Sequence, residues 1–307
     1  MNYSAIHIQG NIISSEILEK IRTEDIRFQK PVDFGLHPNT SIRDEINLAW
    51  SIAVTSWNAF RMKRDSLNDA ESGTSETRRY WMLPLLQQIL GYEISLSNAE
   101  IINGKSYAIS HRVNNRDGFP VHIAGINQSL DKRPETGGIR LSPHALVQEY
   151  VNSTEHLYAL VSNGRYLRLL RNATRLSRLS YLEFDLEQMM EEGLYAEFAL
   201  MYRTLHATRM PEQKDAGADS MIEFYHQEAL ASGSRIRERL SGAVENSIRE
   251  LANGLLHHPE NEELRQWVLQ GRITPKDYYL YTLRLVYRIL FLLVIEERKL
   301  IYGDKLT

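Results

Sequence analysis

The chain has 307 residues, with 36 lysines and arginines against 39 aspartates and glutamates, so its formal net charge is −3. These proportions indicate a folded, soluble protein of about two domains, and they exclude collagen-like, coiled-coil-only and wholly disordered chains. Because the chain contains no cysteine, disulfide frameworks, thiolate metal sites and cysteine nucleophiles are excluded as well.

The first 74 residues predict an N-terminal helical segment. Thr40 or Ser41 is placed to cap a helix whose apolar positions, from Ile42 to Phe60, recur at intervals of three and four residues. The small and polar residues from Asp65 to Thr77 then predict a loop.

Residues 75–210 predict an α/β module. Its clearest local signal is Asn163-Gly164, which separates two strand-like runs, 157–162 and 165–170. Asn-Gly supplies the two positive φ angles of a type I′ turn, so the pattern predicts a β-hairpin. Further strands are expected at 106–113, 121–126 and 181–185, with helices before and after them.

The polar stretch from Pro211 to Ser220 predicts a domain boundary, and apolar positions at helical spacing follow it. The predicted fold class is therefore α+β. N-terminal helices (1–74) precede a small mixed sheet flanked by helices (75–210), and an all-helical part (211–307) ends the chain.

Searches for catalytic and cofactor motifs find none. There is no glycine-rich phosphate loop, no dinucleotide or adenosyl fingerprint, no His-Glu-X-X-His and no nucleophile elbow. His257 and His258 are adjacent rather than at ligand spacing, so no metal site is predicted. No secretory signal is visible, and the apolar run from Ile289 to Ile295 is shorter than the ~20 residues of a membrane span. We therefore expect a cytoplasmic protein with no membrane partner.

The one unusual charge pattern surrounds the predicted hairpin. No acidic residue occurs from Leu157 to Leu182, and this window holds five arginines: Arg165, Arg168, Arg171, Arg175 and Arg178. One interpretation is contact with DNA phosphates, assisted by Lys132, Arg133 and Arg140 on the preceding loop. The other is that the arginines pair with the acidic residues that follow, which are Glu183, Asp185, Glu187, Glu191 and Glu192. The two interpretations stay open at this point.

Three motifs carry a resemblance to a known class of enzyme. Ser75-Glu76-Thr77-Arg78-Arg79, followed by Leu83-Pro84-Leu85-Leu86 and Leu90-Gly91-Tyr92, resembles the opening of nuclease-like modules in restriction–methylation enzymes. The stretch from Leu160 to Arg171 resembles the hairpin near the end of such modules. Tyr287 to Leu293, with Glu296-Glu297-Arg298, resembles the helix that leads into the adenine-N6 DNA methyltransferase domain of type IIG-like proteins. In order and spacing the motifs most resemble the large adenine methylases of bacterial phage-defence islands, of the DISARM or BREX kind.

The resemblance implies a parent enzyme that uses S-adenosylmethionine, but two features of the family are missing here. No Asn-Pro-Pro motif occurs, so we expect an N-terminal portion of a longer protein without a cofactor site of its own. A PD-(D/E)xK nuclease needs carboxylates on two adjacent strands to hold a divalent metal. The matching strands, 107–112 and 121–125, carry none, and Asp131-Lys132 has the wrong spacing. We therefore expect a degenerate nuclease-like module with no catalytic residue.

The leading hypothesis is a DNA-binding or positioning module of an adenine-specific DNA methyltransferase, which contacts the duplex backbone through the basic residues named above. A second hypothesis is a protein-interaction scaffold that docks other subunits of a defence complex. A third is an active metal-dependent nuclease that uses carboxylates elsewhere, such as Glu45 or Asp117.

Overall fold

A computed structural model describes residues 3–68, 71–133, 141–173 and 180–297. The predicted α+β class is confirmed. By its internal contacts the chain forms two compact units, Met1–Leu230 and Ala231–Thr307. The residues just after the expected boundary at 211 belong to the first unit, because Ile222 and Tyr225 are fully buried in its core.

The first unit is built on a mixed sheet whose seven described strands follow the order β1-β9-β8-β7-β6-β5-β2. The strands are β1 Ile6–Gln9, β2 Ile94–Leu96, β5 His111–Val113, β6 Phe119–Ile123, β7 Tyr158–Ser162, β8 Tyr166–Arg171 and β9 Tyr181–Asp185. Strands β6 and β7 pair in parallel, and the other neighbouring pairs are antiparallel. A separate antiparallel pair is formed by β3 Glu100–Ile102 and β4 Lys105–Tyr107.

Strand β1 lies in the segment that the sequence predicted to be mostly helical. It pairs with β9, with Ile6 opposite Phe184, and so forms one edge of the sheet. Its four residues are too few for alternating hydrophobicity to stand out, and its register depends on a partner far along the chain.

Helices cover both faces of this sheet. They are α1 Ser15–Arg22, α2 Ile42–Arg64, α4 Pro143–Asn152, α5 Leu186–Glu191 and α6 Tyr195–Leu205. The predicted cap of α2 is confirmed, because Ser41 Oγ accepts a hydrogen bond from the Asp44 backbone at 3.3 Å. Successive residues of β7 alternate between two apolar cores, since Tyr158 and Leu160 pack in the larger one and Ala159 and Val161 pack against α4.

A helical segment of unusual geometry precedes β2. It starts as α3 Thr74–Glu76 and continues as two π-helical stretches, Thr77–Met82 and Leu85–Ile89; these stretches are here called the π-helical segment. Trp81 stacks edge-on against Trp57 of α2, with ring centroids 5.1 Å apart, and its Nε1 donates to the Gly164 carbonyl at 2.9 Å. π-Helical turns are rare and occur frequently at functional sites.

The hairpin between β7 and β8 is present, but its turn differs from the predicted type I′. Gly164 has a φ of +84°, whereas Asn163 is not among the described residues with positive φ. The Asn163 side-chain oxygen instead accepts hydrogen bonds from the backbone of Arg165 and Tyr166, at 3.1 and 2.9 Å. Asn163 therefore supports the turn through its side chain, as asparagine does in Asx turns.

The second unit is helical in its described part. Its elements are the later part of α7 Met221–His257, together with α8 Glu262–Leu269 and α9 Pro275–Glu297. The Tyr278 hydroxyl donates to the Ala252 carbonyl at 2.7 Å, which holds α9 to α7. By length and composition α9 is also apolar enough to cross a membrane, and it is longer than the apolar run 289–295 within it.

Candidate nucleic-acid interface

The predicted basic residues of the hairpin do not share one surface. In the register of β7 and β8, Ser162 lies opposite Leu167 and Tyr158 opposite Arg171. Arg165, in the turn, and Arg171, at the end of β8, are therefore about 20 Å apart along the strand. Arg140, Arg175 and Arg178 lie outside the described residues.

Arg168 is buried in a network of ion pairs, with its side chain 5% exposed. Its Nε bonds to Glu183 at 2.5 Å, and its Nη1 and Nη2 bond to the two carboxylate oxygens of Asp131 at 2.6 and 2.8 Å. The guanidinium also lies 4.4 Å from the centre of the Tyr181 ring. Burial by itself disfavours the charged guanidinium, but the hydrogen bonds that it donates to Asp131 and Glu183 raise the pKa of Arg168 above its ordinary value.

Arg171 forms a second network at the far end of β8. Its Nε and Nη2 bond to Glu223 of α7 at 2.9 and 2.8 Å, and the Tyr158 hydroxyl donates to the same carboxylate at 2.6 Å. Although burial opposes ionisation, these donors lower the pKa of Glu223. The network ties the sheet to the start of α7.

Arg165 also lies beside a carboxylate, since its Nε is 2.6 Å from Glu187, which Arg64 contacts at 2.7 Å. Two residues of the acidic run thus pair with the hairpin: Glu183 with Arg168 and Glu187 with Arg165. Glu191 pairs instead with Arg61 at 3.1 Å. For Arg165 and Arg168 these contacts favour the second interpretation of the charge pattern, in which the arginines pair with the acidic residues that follow.

Lys132 and Arg133 are placed differently, because both are exposed on the loop after β6. This loop meets the hairpin turn where the parallel strands β6 and β7 end. The Ala124 backbone donates to the Ser162 carbonyl at 2.8 Å, and Asn163 Nδ2 donates to the Gln128 carbonyl at 2.8 Å. Ligands of α/β sheets bind preferentially at the carboxyl ends of parallel strands.

We call this junction of residues 124–133 with 163–165 the carboxyl edge. It contains a groove of about 420 Å³, within the size range of ligand sites, lined by residues 126–131 with Asn163, Arg165 and Tyr166. The sequence identified the basic residues of the loop, but it did not predict that β6 and β7 pair in parallel, so it missed that the loop and the turn converge.

The two stretches compared above with a nuclease centre, 107–112 and 121–125, carry His111 and His122 and no aspartate or glutamate. Ser110 Oγ contacts His111 Nδ1 at 2.7 Å, and the Ser110 backbone donates to His122 Nδ1 at 3.3 Å. Burial, with a smaller contribution from Arg78, lowers the pKa of His111 and of His122 to about 4. Both rings are therefore neutral at pH 7, and no group of three potential metal ligands occurs among the described residues.

The two carboxylates proposed for an active nuclease lie in separate elements. Glu45 is in the first turn of α2. Asp117 is in the connection between β5 and β6, where it accepts a hydrogen bond from the Lys214 backbone at 3.1 Å.

Comparisons with protein families, with curated proteins and with solved structures find no match for this chain.

Proposed function

We propose that this chain is a non-catalytic DNA-binding and positioning module of an adenine-specific DNA methyltransferase, in bacterial antiphage defence or restriction–modification. The motif resemblance suggests the parent enzyme. The observation that carries the DNA contact is the carboxyl edge, where Lys132 and Arg133 expose two positive charges beside a groove at the ends of β6 and β7. Such residues bind DNA phosphates without reading base sequence.

In this proposal the buried arginines support the interface rather than form it. Arg168 holds Asp131, the residue directly before Lys132, through two hydrogen bonds. Arg168 is therefore a positioning residue for the loop, and Arg171 holds the opposite end of the strand to Glu223. Direct contact of either arginine with DNA would require that the ion pair open first, which leaves a buried carboxylate unpaired.

The methyl donor of the parent enzyme does not fit these residues. S-adenosylmethionine sites place the cofactor against the backbone of glycines after a strand. The glycine after β6 is Gly125, and a Cβ built on it would lie 1.9 Å from the Ser72 carbonyl oxygen. Protein backbone therefore fills the space beside this glycine, where such a cofactor would have to lie.

Fluorescence anisotropy of the full chain with labelled duplex DNA tests the DNA contact. We expect Lys132→Ala/Arg133→Ala to weaken binding and to reduce the slope of log affinity against log salt by about 1.8, because two phosphate contacts are lost. Lys30→Ala/Arg43→Ala removes the same charge from other exposed positions and is the matched control. Equal slopes for the two double variants would refute the proposed edge.

A protein-interaction scaffold is the second candidate, and α9 favours it. This helix exposes large apolar side chains around its surface: Tyr279, Tyr281, Leu285, Tyr287, Ile289, Phe291, Leu292, Leu293 and Val294. Exposed apolar surface of this extent marks interaction sites. If the wild-type chain binds no duplex at low salt, the scaffold replaces the DNA-binding module as the function proposed here.

A further inference from the structure

A cavity of about 660 Å³ opens beside the amino end of β4 and the carboxyl end of β6, on the α4 side of the sheet. Its polar lining comes from Arg78, Lys105, Ser106, His122 and Gln128. Its apolar lining includes Ala108, Leu141, Pro143 and Leu146. No aspartate or glutamate is among the described residues that line it.

The cationic side of the cavity is pre-organised. Arg78 belongs to the π-helical segment, and its Nε and Nη2 donate to the Ile123 carbonyl at 3.0 and 2.7 Å. These bonds hold the guanidinium at the end of β6, and its Nη1 takes no part in them. Lys105 is held in place by a hydrogen bond to Glu149, which occupies one of the three protons of its ammonium group.

A neutral donor, the Gln128 amide, lies beside these cations. Gln128 Oε1 accepts from the Gly125 backbone at 2.8 Å, which orients the amide and leaves its NH2 group to donate. His122, also in the lining, is already bonded to the backbone, because its Nδ1 accepts from Ser110 and it hydrogen-bonds to Ala108. The Gln128 amide thus adds hydrogen-bond donors to a site that already attracts negative charge.

The opposite side of the cavity is apolar. Leu141, Pro143 and Leu146 come from the start of α4 and the residues before it. A ligand that satisfies both sides has an anionic group at one end and a flat or apolar body at the other. The ligand must also fit a cavity of about 660 Å³, a volume typical of sites that enclose small molecules and cofactors.

We propose that this cavity binds one nucleotide unit, with its phosphate against Arg78 and Lys105 and its base against Leu141, Pro143 and Leu146. The nucleotide is either a free nucleoside monophosphate or the phosphorylated end of a DNA strand. The cavity shares Ala124 and Gln128 with the carboxyl edge, but the proposal does not depend on the DNA contact proposed there, because neither Lys132 nor Arg133 lines the cavity.

Calorimetric titration of the full chain at low salt tests this site with dAMP, deoxyadenosine and inorganic phosphate. We expect dAMP to bind at least about tenfold more tightly than either fragment, because only dAMP engages both sides. Lys105→Gln is expected to weaken dAMP binding about tenfold, since one charge-assisted hydrogen bond is lost. Ala108→Trp fills the cavity from an exposed position and should abolish binding. Lys30→Gln, at another exposed position, is the matched control and should leave the affinity for dAMP unchanged.

A 5′-phosphorylated oligonucleotide and its unphosphorylated counterpart distinguish the two sources of the nucleotide. If the phosphorylated strand binds more tightly than dAMP, and Ala108→Trp removes the difference, the ligand is a strand end. If dAMP binds and the 5′-phosphate adds nothing, the ligand is a free nucleotide. Three results would overturn the proposal. They are equal affinity for phosphate and dAMP, unchanged dAMP binding by Ala108→Trp, and no binding of any probe.

Discussion

Arg168 and Asp131 form a two-point ion pair, at 2.6 and 2.8 Å, that joins the middle of strand β8 to the loop after β6. The hydrogen bonds from Arg168 lower the pKa of Asp131. Because Lys132 and Arg133 follow Asp131 directly, this pair determines where the two exposed charges of the loop lie. In the proposed interface, an arginine predicted to contact DNA would therefore act through a neighbouring carboxylate.

The first prediction concerns stability. Arg168→Ala leaves Glu183, whose side chain is 9% exposed, without its partner, and breaking a buried ion pair in this way costs about 3–5 kcal/mol. The half-exposed pair of Arg61 and Glu191 is the control, and Arg61→Ala should cost less than about 1 kcal/mol. Urea unfolding of both variants measures the difference. Similar losses for the two variants would show that the Arg168 network does not stabilise the fold.

The second prediction separates positioning from direct contact with DNA. Asp131→Asn removes one partner of Arg168 without removing a positive charge from the chain. If Asp131 positions the loop, this variant should weaken DNA binding several-fold even though it makes the chain less acidic. Anisotropy at two salt concentrations is the measurement. Tighter binding by Asp131→Asn would mean that only net charge matters at this edge.

The third prediction follows from buried histidines. Burial lowers the pKa to about 4 for each of five of them: His111, His122, His144, His156 and His206. In the unfolded chain a histidine pKa is about 6.5, so the unfolded state binds more protons between pH 6.5 and 4. The free energy of unfolding should therefore fall steadily as the pH is lowered through this window.

Urea unfolding at pH 7, 6 and 5 tests the histidine prediction. His156→Gln removes one titrating group and should reduce the slope by up to about 1.4 kcal/mol per pH unit. Stability that stays constant from pH 7 to pH 5 would contradict the burial of these rings.

The fourth prediction concerns the glycine that follows β6. Gly125→Ala would bring a Cβ within 1.9 Å of the Ser72 carbonyl oxygen, so backbone must move, at a cost of about 3 kcal/mol. Gly104 is the control. Nothing lies within 4 Å of a Cβ added there, so only its φ of +77° disfavours alanine, and Gly104→Ala should lower the free energy of unfolding by about 1–2 kcal/mol. Thermal unfolding of both variants is the measurement, and a smaller loss at Gly125 than at Gly104 would refute the close contact.

The sequence by itself determined the features that depend on nearby residues. The cap of α2 at Ser41, the hairpin around Gly164 and the α+β class all follow from local hydrogen bonds, turn geometry and hydrophobic periodicity. The predicted turn type was nevertheless wrong. The Asn163 side chain accepts hydrogen bonds from the backbone of Arg165 and Tyr166, which an asparagine can form but need not form.

Only the tertiary structure decided which charges face each other. Arg168 meets an aspartate 37 residues earlier in the chain, and Arg171 meets a glutamate 52 residues later. Electrostatic energy depends on distance through space rather than along the chain. A stretch of sequence without acidic residues can therefore still lie beside acidic residues in the folded chain. The parallel pairing of β6 and β7, in turn, brought the loop that carries Lys132 and Arg133 to the hairpin turn.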